Sequence, residues 1–250
     1  MLHLLGNKAA SQIKLLSFFL IGCTLLCLTT AAQIDKVEMN KFDQDTKPYY
    51  FGLSVGVNKA RFQTEWHPQF LQNDSVLVAE PVNSGGLALG LSATLRISNR
   101  FQLRFNPQLM FLARNIFYKL KYPDPFDGNT DVTKTVESVI MSFPVHIKFQ
   151  SDRIGNFRVY TLAGFKADID MASNARGKRA EDLVKIEKYD FGPEIGIGFN
   201  FYFPSFIFSP EVKISNGIRN IHGRDENLKF SNVFDKIQSR MIVFTIHLEG

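Results

Sequence analysis

The stretch Asp190–Ile214 reads DFGPEIGIGFNFYFPSFIFSPEVKI, and it limits the fold more tightly than any other part of the chain. Up to Phe203 the apolar residues occupy odd positions: Ile195, Ile197, Phe199, Phe201 and Phe203. From Phe206 they occupy even ones: Phe206, Phe208, Val212 and Ile214. A two-residue loop at Pro204-Ser205 requires this switch, because it sets Phe203 opposite Phe206. Phe201 then faces Phe208, Ile197 faces Val212 and Ile195 faces Ile214. The other face pairs Asn200 with Ser209, Gly198 with Glu211, Gly196 with Lys213 and Glu194 with Ser215. The segment is a β-hairpin with one aromatic face and one face of glycines and charges.

The same period of two, the signature of strands, recurs from Tyr49 onward. Phe51, Leu53, Val55 and Val57 alternate with Gly52, Ser54, Gly56 and Asn58. Further strands carry Leu87 to Ile97, Phe101 to Phe111, Val139 to Phe149 and Phe157 to Phe165 on their apolar faces. The last sets Ile242, Phe244, Ile246 and Leu248 opposite Arg240, Thr245 and His247. With the two strands of the hairpin the count is eight, and no helical pattern competes for these residues.

The polar faces are rich in Gly and Ser, which a solvated sheet face has little use for. Small residues fit the narrow interior of a closed barrel, where ionised groups need opposite partners. The expected interior charges are Arg96, Arg104, Lys148, Arg158, Lys166, Lys213 and Arg240 against Asp168, Asp170, Asp190, Glu194 and Glu211. The Phe-rich faces then meet lipid. Short turns near Ser98–Arg100, Gln150–Asn156 and Pro204-Ser205 alternate with long polar loops at 60–84, 115–136, 171–186 and 218–236. That alternation is the mark of an all-β, eight-stranded antiparallel up-and-down transmembrane β-barrel of the outer-membrane type, with long loops extracellular and both termini periplasmic. Pro107, Pro144, Pro193 and Pro210 run against it, since each removes a ladder donor where no water can substitute. The competing reading, a soluble β-sandwich, puts the apolar faces in a core and the polar faces in water.

Lys8 and Lys14 precede an apolar run from Leu15 to Leu28 that ends in Thr30-Ala31-Ala32, a signal-peptide pattern with cleavage after Ala32. The run is short for a spanning helix. Leu20-Ile21-Gly22-Cys23 resembles a lipobox, but the hydrophobic stretch continues past Cys23. The expected organisation is a cleaved signal at 1–32, a periplasmic segment at 33–48 and the barrel at 49–250. Both cysteines lie in the signal, which leaves the remainder without disulfides, thiolate ligands or a cysteine nucleophile. The formal charge of +5 is too mild and too dispersed for a nucleic-acid partner.

Chemistry finds little footing. The glycines of GGLALG and GPEIGIG follow the strand period and lack the helix and Lys-Ser/Thr of a phosphate loop. His146 and His247 fall on the interior face, His67 and His222 in loops. None pairs with a serine as a dyad, and no His/carboxylate cluster has metal-ligand spacing. No catalytic residue, cofactor or metal is expected. The loops carry mixed charge, and Asn73, Asp74, Glu80, Arg176, Lys178, Arg179, Glu181, Asp182, Arg224 and Asp225 are the candidate contacts for a protein partner or for lipopolysaccharide phosphates.

Five segments, NDSVLVAEPVNS (73–84), TKTVES (133–138), ASNARGKRAEDLVKI (172–186), FYFPSFIFSPEVKISNG (201–217) and SRMIVFTIHLEG (239–250), together resemble the PorT family. That family comprises outer-membrane β-barrels of the type IX (Por) secretion system. The resemblance implies a noncatalytic accessory role in exporting cargo such as proteases and adhesins. It also implies partners among the other outer-membrane and periplasmic secretion components. A stand-alone structural or adhesive barrel shares every strand-level feature. A lipid-modifying enzyme would need a rim dyad.

Overall fold

A sheet with lipid on its outer face must leave no unpaired backbone edge in the bilayer, and this sheet closes on itself. The computed structural model describes residues 38–68, 76–123, 128–172, 185–223 and 233–250. Its strands are β1 (Tyr49–Trp66), β2 (Val76–Val82), β3 (Ser84–Arg96), β4 (Phe101–Phe105), β5 (Gln108–Leu120), β6 (Asp131–Gln150), β7 (Phe157–Asp170), β8 (Tyr189–Tyr202), β9 (Ile207–Asn216) and β10 (Phe234–Glu249). β2 and β3 form one stave interrupted at Asn83, since Val82 pairs with Asn115 and Gly86 with Leu112 of the same β5. β4 and β5 form another, interrupted at Asn106-Pro107, and both pair with β6 in one register. Eight staves result, all antiparallel to their neighbours, and the ring closes where β1 pairs with both β10 and β3.

The registers give the shear of the ring. From Ile169 on β7 the cross-strand partners run Met141, Leu109, Leu89, Val55, Ile246 and Pro210, then across β8 back to Val159, ten residues lower on the same strand. Eight staves sheared by that amount tilt by about 40° and enclose only enough space for their own side chains.

The opening hairpin pairs as its parity requires. Phe201 faces Phe208, Ile197 faces Val212 and Ile195 faces Ile214, and the Phe203 N–H donates to the Phe206 carbonyl at 2.9 Å. The prolines are accommodated by separate local means. Pro107 cannot donate to the Leu91 carbonyl, and the Asn106 side-chain amide does so instead at 2.9 Å. Pro144 accepts from the Asn106 N–H at 3.2 Å, at the same break between β4 and β5. Pro193 lies just beyond the last β8–β9 pair, Glu194 with Ser215. Pro210 interrupts that ladder between the Gly198–Glu211 and Phe201–Phe208 pairs, where the Ser209 hydroxyl donates to Asn200 Oδ1 at 2.9 Å.

Outside the ring, an apolar belt begins at the end that carries the short turns. Phe51, Leu53, Val55, Val57, Leu87, Leu89, Leu91, Val145, Ile147, Ile195, Ile197, Phe199, Phe244 and Leu248 are all exposed there. On β6 the belt runs from Val139 to Phe149, about 25 Å at this rise and tilt. Towards the opposite end, the loop end, the staves reverse polarity. On β1, Lys59, Arg61, Gln63 and Glu65 point outward, while Ala60 and Phe62 are buried. On β5 and β6 the buried residues become Ile116, Tyr118, Leu120, Val132 and Val136. An outer surface that turns polar is one that meets water, and there the sheet follows the soluble rule of apolar inside and polar outside.

The reversal corrects the expected loops. β1 runs on to Trp66, β2 begins at Val76, β5 reaches Leu120, β6 starts at Asp131 and β10 starts at Phe234. Much of 60–84 and 115–136 is therefore strand, and 218–236 is shortened at its far end. The interior of the extended part is filled by Phe62, Val76, Ile116, Tyr118, Leu120, Val136, Ile186, Ile221, Phe234 and Ile237. Among the described residues no helix is long and apolar enough to cross a membrane.

Candidate functional site

Below the apolar plug, the interior holds an ion network built from inward positions on seven strands. Glu211 on β9 is its hub. It accepts from Arg104 Nη1 at 2.8 Å and from the Tyr160 hydroxyl at 2.8 Å, with His247 Nε2 at 3.2 Å and Lys213 Nζ at 3.6 Å. Arg104 also donates to Glu249 at 2.6 Å. Glu194 draws Lys213 to 3.2 Å and His146 to 3.0 Å. Lys166 holds Asp168 at 2.6 Å, and the Ser142 hydroxyl donates to the same carboxylate at 2.5 Å. Lys148 sits 3.7 Å from the centre of the Tyr160 ring, a cation–π contact inside the barrel.

Glycine makes this network possible at two places. A Cβ on Gly198 would stand 2.4 Å from the Tyr160 ring and hydroxyl, and one on Gly196 would stand 2.7 Å from the Val212 carbonyl oxygen and 2.9 Å from Lys213 Cγ. The space that the glycines vacate is thus taken by Tyr160 and Lys213, and Tyr160 carries the contact on to Glu211.

Most of the expected interior charges meet here, with two exceptions. Arg240 is exposed on the outer face, on the same parity as Ile242 and Phe244, so it is no member of the network. A strand changes face at every residue, and 240 shares its side with 242 rather than with 245 and 247. Asp190 is half-buried at the network's margin, where its carboxylate accepts the Phe191 N–H at 2.8 Å and packs on Gly217. Three members were missed. Glu249 shares the parity of His247 and was readable. Arg114 lies on β5 at the margin of the expected 115–136 loop, where the strand's polarity reverses; it contacts Ser138 at 2.7 Å, Asp170 at 3.6 Å and the Phe62 ring at 4.4 Å.

The third is Asp45, in the 3-10 turn Phe42–Asp45 that precedes β1. Lys41 takes a left-handed φ of 47° as the chain turns under the barrel mouth, and Gln44 is buried there. Asp45 receives Arg158 at 2.9 Å and Arg153 at 3.6 Å, while Arg96 donates to the Asp45 backbone carbonyl and to that of Gln44, the latter at 2.7 Å. Six buried cations, Arg104, Arg114, Lys148, Arg158, Lys166 and Lys213, face five buried carboxylates, Asp168, Asp170, Glu194, Glu211 and Glu249. Asp45 supplies the carboxylate for Arg158. Partial burial and the nearby Lys47 lower the Lys41 ammonium from its usual value.

Ions, rings and apolar side chains fill the described interior. A cavity of about 10 Å³ beside Arg114, Asp170 and Ile186 is of the order of one water. Among the described residues, the packed interior leaves the outer surface and the two rims as the accessible places. Of the loop candidates, Glu80 lies exposed in β2 opposite Phe117. Asn73, Asp74, Arg176, Lys178, Arg179, Glu181, Asp182, Arg224 and Asp225 fall outside the described residues, as do residues 1–37 with the expected signal. Among the described residues no group of His, Cys, Asp and Glu is arranged to hold a metal ion.

Several solved structures are similar to this chain at low identity. Neisserial surface protein A is 12% identical with a TM-score of 0.39, over 79% of this chain and 96% of that one. OprG from Pseudomonas aeruginosa is 14% identical with a TM-score of 0.39, over 80% and 91%. The attachment invasion locus protein Ail of Yersinia pestis is 9% identical with a TM-score of 0.37, over 82% and 100%. No curated protein sequence matches the chain. The family model described as outer membrane protein beta-barrel domain matches residues 32–223, most of the chain and seven of its eight staves. With its closed ring, apolar belt and filled interior, this chain belongs to the outer membrane β-barrel domain family and to the bacterial outer membrane.

Proposed function

We propose that this barrel is a noncatalytic accessory component of type IX protein secretion, acting on other outer-membrane and periplasmic components through its rims and outer wall. The observation that carries the reading is the filled interior. Tyr160, Arg104, Lys148 and Glu211 occupy the ring below the apolar plug, so transported protein has no route through the barrel. A barrel of this size contributes to export by what it binds, as the PorT-like segments of the sequence imply. In this reading the short turns and the Asp45-clamped segment face the periplasm, as in other outer-membrane barrels, and the loops face outward. The segment 33–48 and the loops are then the surfaces available to partners.

The test is deletion of the gene followed by assay of secreted proteases and adhesins, with complementation by full-length and loop-shortened chains. Loss of export restored only by chains with intact loops supports the reading. Unchanged export in the deletion strain leaves a stand-alone structural barrel, which the closed ring and belt fit equally well.

A further inference from the structure

Arg61 and Arg240 stand directly opposite each other across β1 and β10, both on the outer face and both exposed. Cross-strand partners are about 5 Å apart, and like charges so placed repel. Neither side chain forms an ion pair or hydrogen bond among the described residues. The fold does not need the pair, because a neutral residue at either position would keep the ladder and remove the repulsion.

Their height gives the pair a meaning. On β1 the outward row runs Phe51, Leu53, Val55, Val57 and then Lys59 and Arg61. On β10 it runs Leu248, Ile246, Phe244, Ile242 and then Arg240. Three cations thus occupy the first outward positions past the apolar belt on two adjacent staves. The arrangement is one-sided. Across the ring, β7 and the start of β8 stay apolar at their loop ends through Ile169, Met171 and Tyr189. Lys59 faces Gly85, whose missing side chain leaves the flank open, and Arg240 faces Asn216, a neutral donor.

We propose that Lys59, Arg61 and Arg240 form a site for the phosphate headgroup of a membrane lipid whose acyl chains lie on Val55, Val57, Ile242 and Phe244 below. Two guanidinium forks suit phosphate oxygens, and the bound anion turns the repulsion between the arginines into a shared attraction. The acyl surface directly beneath selects an amphiphile over free phosphate. The site rests on the belt facing lipid and is independent of any role in secretion.

The experiment uses the full chain folded in a neutral detergent and titrated with diphosphoryl lipid A, with lipid A stripped of its phosphates, and with inorganic phosphate. The expected result is tighter binding of the phosphorylated lipid, weakened roughly fivefold for each of K59Q, R61Q and R240Q and about a hundredfold for the triple variant. R100Q, a basic residue beside a short turn, serves as the control and keeps wild-type binding. Heat-modified gel mobility confirms that each variant is folded. Equal binding of the two lipids overturns the site, as does an equal loss in R100Q. Full displacement by millimolar inorganic phosphate overturns the lipid assignment in favour of a free anion.

Discussion

Arg104 and Glu211 are separated by 107 residues in sequence and by 2.8 Å inside the barrel, where both side chains are almost wholly shielded from solvent. The two charges compensate each other, and Glu249 and Tyr160 complete the coordination. Removing the cation takes the ion partner from Glu249 and leaves Glu211 with only Lys213, His247 and the Tyr160 hydroxyl. Arg104→Met is expected to destabilise the barrel by about 3–5 kcal/mol. Arg104→Met combined with Glu211→Gln is expected to recover part of the loss. Urea unfolding in detergent, followed by tryptophan fluorescence and gel mobility, measures both. An additive double variant would show that the pair does not act as a unit.

The Asn106 side chain supplies the donor that Pro107 lacks. Asn106→Ala leaves the Leu91 carbonyl unpaired at a position flanked by the belt, at an expected cost of about 1–3 kcal/mol. Pro107→Ala restores a backbone N–H at that point. The double variant should therefore be more stable than Asn106→Ala alone, and the same unfolding experiment reads the difference. If Pro107→Ala brings no rescue in the Asn106→Ala background, the two residues do not share that carbonyl.

Strand parity made the wall of the barrel readable, and the limits of that reading are physical. Within the belt, Phe201 and Phe208 or Val55 and Ile246 advertise one face for the whole crossing. Above it the same staves exchange faces, so Lys59 to Glu65 and Asn115 to Lys119 resemble loops when the belt's polarity is taken as the rule. Arg114 was lost for that reason. Asp45 has no periodic neighbour at all: its partners Arg96, Arg153 and Arg158 are brought to it only when the turn Phe42–Asp45 folds under the mouth. The glycine-rich interior was legible as vacated space, but not the fact that Tyr160 fills it.

Gly198 illustrates that last point. A methyl group there would overlap the Tyr160 ring, and the ring is held in place by Glu211 and Lys148. Gly198→Ala is expected to lower stability by about 1–3 kcal/mol. In a Tyr160→Val background, where the ring is gone, the same change should cost little. Equal costs in both backgrounds would move the cause to the backbone.

The Asp45 clamp holds a segment rather than the barrel. Its carboxylate is 30% exposed, so screening keeps its share of global stability small, below about 1 kcal/mol. Locally it ties residues 40–45 to the mouth together with the Arg153–Tyr202 stack at 3.8 Å. Asp45→Asn is expected to leave the unfolding midpoint nearly unchanged while opening Asn40–Lys47 to limited proteolysis. Mass spectrometry of the cut sites decides it; unchanged protection would show that the hydrogen bonds from Arg96 to the Gln44 and Asp45 carbonyls and from Arg153 to the Asn40 and Lys41 carbonyls suffice.

The belt makes a depth-dependent prediction that a soluble sheet does not. Val55 lies near mid-height on the outer face of β1, and Gln63 lies on the same face beyond the belt. An arginine at the middle of a bilayer costs about 2–4 kcal/mol, and close to the interface the cost falls to about 0–1. Val55→Arg should therefore destabilise the protein in lipid vesicles by that larger amount, whereas Gln63→Arg should be nearly silent. In both variants the ladder, the interior and the neighbouring glycines are untouched, so the difference reports the solvent outside the wall. Comparing the two in phospholipid vesicles by urea unfolding provides the measurement. Equal small costs at both positions would mean that water, not lipid, covers the face carrying Val55, and the membrane assignment of the belt would fall with them.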